Sequence, residues 1–247
     1  MNMKEIDLGS WEEFEEQLKR LEKELCNQKT PSEFLYRGQG RTSWELLTTL
    51  ERYGKKNLSL REYFQFLSVI KPQIESFTGA EWNILSQDGF DEWLRENNTL
   101  LPHAFGSSKD FRGIYSYMVE LRHNGFPSPL LDWSRSPYIA AYFAFKNVLQ
   151  CEEDVSIFVY LESTSQIGLK GGGSNKPDIY RFGPYVKTDR RHFIQQSEYT
   201  ICIIFDNEWR YASHEEAFAR NDPNQDVLWK FNIPWSERLK VLKLLEG

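Results

Sequence analysis

The second half of the chain holds four short runs rich in β-branched and aromatic residues, at 155–161, 179–182, 199–205 and 227–233. Each reads as a strand. The first half is different: its apolar residues recur at helical spacing. Helix runs followed by strand runs predict an α+β fold with a mixed β core and a helical N-terminal half. They argue against regular β-α-β alternation.

Local signals place the helices. Ser10 and Glu13 form an S-x-x-E capping box, and Trp11, Phe14, Leu18, Leu21 and Leu25 then share one face. A short strand is expected at 33–37, ending at Gly38-Gln39-Gly40. Residues 43–124 are expected to be helical. Ser59 and Glu62 start a second capped helix, which Pro72 should kink or end. Phe111, Ile114, Tyr115, Met118 and Leu121 form another apolar face, stopped at Asn124-Gly125. Ser136 with Pro137 opens a helix expected over 137–149, whose small apolar body should be buried. A last helix is expected at 236–245, and the Gly-rich stretch 170–177 reads as a loop.

A chain of 247 residues fits one domain and should bury roughly 70–75% of its unfolded surface. With 40% apolar and 27% charged residues the composition is that of a globular protein. No apolar run approaches the ~18 residues of a membrane-spanning helix. The acidic N-terminus does not read as a signal peptide. Cys26, Cys151 and Cys202 are too few for a disulfide framework or a cysteine zinc site. A reducing, cytoplasmic location and no membrane partner are therefore expected. The net charge of −6 argues against broad nucleic-acid binding. Local basic clusters remain at Arg37 with Arg41, and at Lys187, Arg190, Arg191 and His192; the second also fits a solvated loop.

The motifs of phosphate loops, dinucleotide folds, zinc proteases and serine hydrolases are absent from the sequence. His103, His123, His192 and His214 lie far apart, so no metal is expected. Three segments stand out. Tyr36-Arg37-Gly38 ends a strand on a guanidinium with open backbone beside it. That suits bidentate phosphate binding, and equally a salt bridge beside a tight turn. The segment 130–137 puts Asp132, Trp133, Ser134 and Ser136 at the start of a helix. A helix start favours anions, and plain capping fits as well. In 191–200, Gln196 and Glu198 share a parity with Thr200. They either project into a cleft or form a polar pair at a sheet edge.

At these segments the chain resembles the FRG domain family, whose [FY]-R-G signature stands here as Tyr36-Arg37-Gly38. The resemblance extends through Trp44-Glu45-Leu46 and Leu50-Glu51-Arg52. It is strongest over His123–Pro137, with Leu130-Leu131-Asp132-Trp133, and over Ala140–Ala144, and it includes Gln195-Gln196. It implies one FRG-type domain over 1–247, with core motifs in 33–57 and 123–247 and a helical insertion at 58–122. More distantly, Arg37, then Ser134-Arg135-Ser136, then Gln196-Ser197-Glu198 are similar in order to the Arg-Ser-Glu class of mono-ADP-ribosyltransferases. In that class a strand precedes Ser-x-Ser; here the Pro-rich 127–133 stretch stands in its place.

This second resemblance implies an ADP-ribosyltransferase-like protein with NAD as substrate. It would pass ADP-ribose to a protein or nucleic-acid acceptor, or hydrolyse NAD, in a toxin or defence setting with a cognate regulator. Arg37 would bind the pyrophosphate. Tyr36, Gly38, Trp133, Ser134, Ser136 and Tyr138 would shape the NAD site. Glu198 would stabilise the oxocarbenium-like state, and Gln196 would orient the acceptor. The alternative is a non-catalytic module of the same fold that binds a nucleotide or a protein.

Overall fold

The computed structural model describes residues 3–26, 33–98, 101, 104–105, 108–146, 153–162, 176–183, 194–219 and 226–246. The chain is α+β. It begins with β1 (Met3–Asp7), α1 (Trp11–Cys26), β2 (Leu35–Gln39) and the helices α2 (Thr49–Arg52), α3 (Leu60–Thr78), α4 (Gln87–Glu96) and α5 (Lys109–His123). Then come β3 (Leu131–Ser134), α6 (Pro137–Phe145), β4 (Val155–Leu161), β5 (Asp178–Phe182), β6 (Ser197–Asp206) and β7 (Glu208–Tyr211). The described chain closes with α7 (His214–Ala219), β8 (Val227–Ile233), a 3-10 turn (Trp235–Glu237) and α8 (Arg238–Glu246).

These strands form one mixed sheet in the order β1-β8-β4-β2-β3-β6-β5, with β7 also against β6. β1 runs parallel to β8, and the other pairs are antiparallel. Ile203 pairs with both Asp178 and Tyr211, and Thr200 with both Leu131 and Arg181. β3 and β7 therefore lie along the same edge of β6, opposite β5.

Side-chain alternation along the strands divides the core. One sheet face packs Val159 and Phe231 against Trp11 and Phe14 of α1 and Ala140 and Ala144 of α6. Further along the sheet, Tyr199, Ile201 and Ile203 meet Tyr63 and Phe64 of α3 and Ile114 and Met118 of α5. The opposite face gathers Leu35, Leu131, Trp133, Tyr160 and Cys202 with Phe218 of α7. Burial pushes the Cys202 thiol pKa up, so it is an inert core group.

Several local expectations are corrected. α3 does not stop at Pro72 but continues to Thr78. Pro72 lies on the exposed face of the helix. At the first helix, Glu13 accepts the N–H of Gly9 rather than that of Ser10, while Ser10 Oγ caps Glu13. The segment before Ser-x-Ser is itself a strand, β3. α6 buries Ala140, Ala141, Ala144 and Phe145 but leaves Tyr138 and Tyr142 about half exposed, so its body is not enclosed. The early strand runs 35–39 rather than 33–37. The stretch 147–150, the Lys187–His192 cluster and most of the 170–177 loop lie outside the described residues.

Candidate functional site

The geometry of β2 and β3 creates the site. They are sheet neighbours, yet one register pair joins them, Tyr36↔Ser134. Beyond it the strands part, and a cavity of about 650 Å³ occupies the gap. Cavities of ~300–1,000 Å³ are the usual size for small-molecule sites. Its walls are Arg37, Gly38 and Gln39 from β2, and Asp132, Trp133 and Ser134 from β3. Trp44, Arg52 and Phe143 of α6 complete it.

Gly38 exists for packing. α6 lies so close to β2 that a Cβ at position 38 would stand 1.9 Å from the Ala140 carbonyl oxygen and 2.7 Å from the Ala144 nitrogen. Only glycine fits under the helix. On the other side of the strand, Arg37 spans the gap. Its Nη1 donates to the Asp132 carbonyl oxygen at 2.8 Å and to Asp132 Oδ1 at 2.5 Å. Arg122, at the end of α5, bonds the same carboxylate oxygen through Nη2 and Thr49 Oγ1 through Nη1 at 3.0 Å.

Asp132 thus serves two guanidiniums, while 46% of its side chain stays exposed. Burial pushes its carboxyl pKa up, but Arg122 and Arg37 outweigh that and hold it well below the usual carboxylate range. Arg52 lines the same cavity, and its side chain makes no ion pair or hydrogen bond among the described residues. Burial lowers its pKa most, and the charges of Arg37 and Arg122 lower it further, against the pull of Asp132. Arg37 and Arg122 therefore share the Asp132 carboxylate, and Arg52 stands near all three without bonding any of them. Among the lining residues Arg37 and Arg52 are the cations and Asp132 and Glu45 the anions.

Trp133 is held edge and face. Its Nε1 donates to Thr200 Oγ1 at 2.8 Å, and its ring stacks on Tyr160 with centroids 5.3 Å apart. Thr200 Oγ1 also bonds His214 Nε2 at 2.9 Å. Burial, with a smaller push from Arg37, lowers the His214 pKa to about 3, so the ring is neutral.

The sequence candidates divide into two groups. Tyr36, Arg37, Gly38, Trp133 and Ser134 line the cavity. Ser134 Oγ is already engaged: it donates to the Gln195 carbonyl at 2.8 Å and accepts the Ser136 N–H. Ser136 is the N-cap of α6, bonding the Ile139 N–H, and does not line the cavity. Tyr138 does not either; its exposed ring lies 6.3 Å from that of Trp11.

Gln196 and Glu198 do not project together. Gln196 sits before β6 with a left-handed backbone, φ 47°, and is exposed. That turn breaks the alternation on which a shared direction rested. Glu198 is 1% exposed, and each of its oxygens bonds an arginine Nε, of Arg135 on one side and Arg181 on the other. Glu198 is not among the residues lining the cavity.

The sequence reading missed Gln39 and Arg122, and it met Arg52 only as part of the Leu50-Glu51-Arg52 motif, not as a site residue. Alternation could have found Gln39, since residues two apart on a strand share a face with Arg37. Arg122 has no local signal. Among the described residues no cluster of three or more His, Cys, Asp or Glu could hold a metal ion, and no helix is long and apolar enough to cross a membrane. A family model described as the FRG domain matches residues 32–153. Compared with curated proteins and with solved structures, the chain matches none.

Proposed function

The chain belongs to the FRG domain family, and because the matched stretch supplies β2, β3 and α6 around the cavity, we propose that this cavity binds a nucleotide, with NAD as the ligand. One observation carries the reading: Asp132 is taken up by Arg37 and Arg122, while Arg52 lines the same cavity with no ion pair among the described residues. A pyrophosphate at the cavity mouth would give Arg52 an anionic partner. Guanidinium groups match its oxygens in pairs. Trp44 and Phe143 offer flat apolar surface for a ring. Arg37 is anchored by Asp132, so it meets the ligand already oriented.

Within this reading Glu198 has a structural task. Both carboxylate oxygens already serve guanidiniums, which leaves it poorly placed to receive a ribose hydroxyl. The binding module is therefore the first reading. ADP-ribosyl transfer to a protein or nucleic acid, or NAD hydrolysis, is the second. It is favoured by the placement of Arg37, Ser134 and Glu198 on three adjacent strands, β2, β3 and β6.

Calorimetric titration with NAD, alongside an assay for released nicotinamide, tests both. NAD binding without nicotinamide release is expected. Arg52→Ala should weaken binding ~10–100-fold, the value of one charge-assisted hydrogen bond. Added salt should weaken it further. No binding of NAD or of pyrophosphate by the wild type would overturn the nucleotide reading. Nicotinamide release that depends on Glu198 would replace the binding module with the transferase.

A further inference from the structure

Gln39 lies two residues beyond Arg37 on β2, faces the same way and lines the same cavity. It is 6% exposed. Its Nε2 donates to the Glu45 carbonyl oxygen at 3.3 Å. A backbone carbonyl only accepts, so this bond fixes which end of the amide is nitrogen. The other end, Oε1, is buried and has no hydrogen-bond partner among the described residues. Arg37 Nε, close by on the same strand, is buried and unpartnered too. Buried polar atoms in folded proteins are nearly always paired, and unpaired ones call for an explanation.

The two orphans are of opposite kind. Arg37 Nε is a donor and asks for an acceptor, which an anionic oxygen supplies. Gln39 Oε1 is an acceptor and asks for an N–H or O–H. A bare inorganic anion satisfies the first and not the second. Trp44 and Phe143 line the cavity with these two groups, so the donor arrives on a flat ring system. An exocyclic N–H2 lying in the plane of such a ring pairs well with an amide oxygen.

We propose that Gln39 is a specificity-determining residue, accepting a hydrogen bond from an amino or carboxamide N–H2 of a phosphate-bearing nucleotide whose anion sits on Arg37. This inference rests on the nucleotide reading of the cavity and adds the feature by which one nucleotide is told from another. A site built to hydrogen-bond a ligand group rejects the analogue lacking it, because its own buried partner is then stranded. The adenine amino group and the nicotinamide carboxamide are the two such donors on NAD. The same preference extends to adenine nucleotides over hypoxanthine nucleotides if the adenine end is the one read.

Calorimetry with four probes tests this: NAD, its hypoxanthine analogue, its nicotinic acid analogue, and inorganic pyrophosphate. Gln39→Met keeps the length and removes the acceptor. It should bind NAD about tenfold more weakly, the loss of one hydrogen bond, and bind pyrophosphate as the wild type does. In the wild type, one of the two analogues should lose a similar factor relative to NAD, and Gln39→Met should abolish that difference. The proposal is overturned if Gln39→Met binds NAD normally, or if NAD and pyrophosphate weaken equally. It is also overturned if both analogues bind the wild type as NAD does, and that arm decides alone should Gln39→Met fail to fold. Wild-type protein that binds neither NAD nor pyrophosphate removes the nucleotide reading itself, a result distinct from every failure confined to Gln39.

Discussion

Gly38 and Ala140 touch backbone to backbone: a Cβ on the glycine would lie 1.9 Å from the alanine's carbonyl oxygen. That is far inside van der Waals contact, and the obstructing atom belongs to a helix main chain that cannot turn aside. Gly38→Ala must push α6 off β2 or bend the strand. Overpacking typically costs ~1–3 kcal/mol, and a rigid backbone neighbour places this site at the upper end. A fall in melting temperature of roughly 10 °C is expected for a chain of this size. Thermal unfolding followed by circular dichroism checks it, and an unchanged midpoint would contradict the packing described.

Asp132 ties Arg37 to Arg122, and its loss should be felt in stability as well as in ligand binding. Stranding a buried charge costs ~3–5 kcal/mol, and the 46% exposure of this side chain calls for a smaller figure, ~1–3 kcal/mol for Asp132→Asn. The pH dependence has a definite sign. The folded pKa is depressed, so the contribution is fully present above the unfolded value of ~4 and drains away as pH falls below it. Denaturant titrations between pH ~5 and ~2, the range of ordinary carboxylate ionisation, should show a shallower decline in Asp132→Asn than in the wild type.

His214 produces a second, separate pH window. Buried and neutral, with a pKa of about 3, it refuses a proton that the unfolded chain accepts below ~6.5. Stability should therefore fall as pH drops from ~6.5 toward 3, with a slope approaching ~1.4 kcal/mol per pH unit from this group. In His214→Gln that segment of the stability curve should flatten, while the decline below ~4 due to Asp132 persists.

Glu198→Gln separates the two functional readings. The residue is 1% exposed and balances Arg135 and Arg181, so the variant should lose ~3–5 kcal/mol of stability by leaving that pair short of charge. NAD affinity should change less than about twofold, because the side chain does not line the cavity. If instead turnover of NAD is present and falls ~10²–10³-fold, Glu198 is an electrostatic catalyst and the binding module is wrong.

Some of this was legible in the sequence and some was not, for physical reasons. The runs at 155–161, 179–182, 199–205 and 227–233 became β4, β5, β6 and β8, because β-branched and aromatic residues in unbroken runs suit strands buried on both faces. β1 was missed: Met-Lys-Glu-Ile-Asp is a partly exposed edge strand with three charges in five residues. β3 was hidden by its four-residue length and by the prolines before it. Arg37 and Trp133 stood out by their motifs. Arg122 did not stand out as a partner of Asp132, nor Arg52 as a second guanidinium of the cavity, since tertiary structure alone brings these distant residues there. Glu198 kept its predicted parity with Thr200, yet its partner Arg181 comes from β5, a neighbour that tertiary pairing alone supplies.

The single register pair between β2 and β3 divides the sheet into two panels fastened at one point. On one side lie β1, β8, β4 and β2; on the other lie β3, β6, β5 and β7. Apart from Tyr36↔Ser134, the grip of Arg37 on Asp132 crosses between them along these strands. A molecule lodged there is a rivet as well as a guest. It would slow hydrogen exchange in strands it never touches, because opening either panel would first require letting it go.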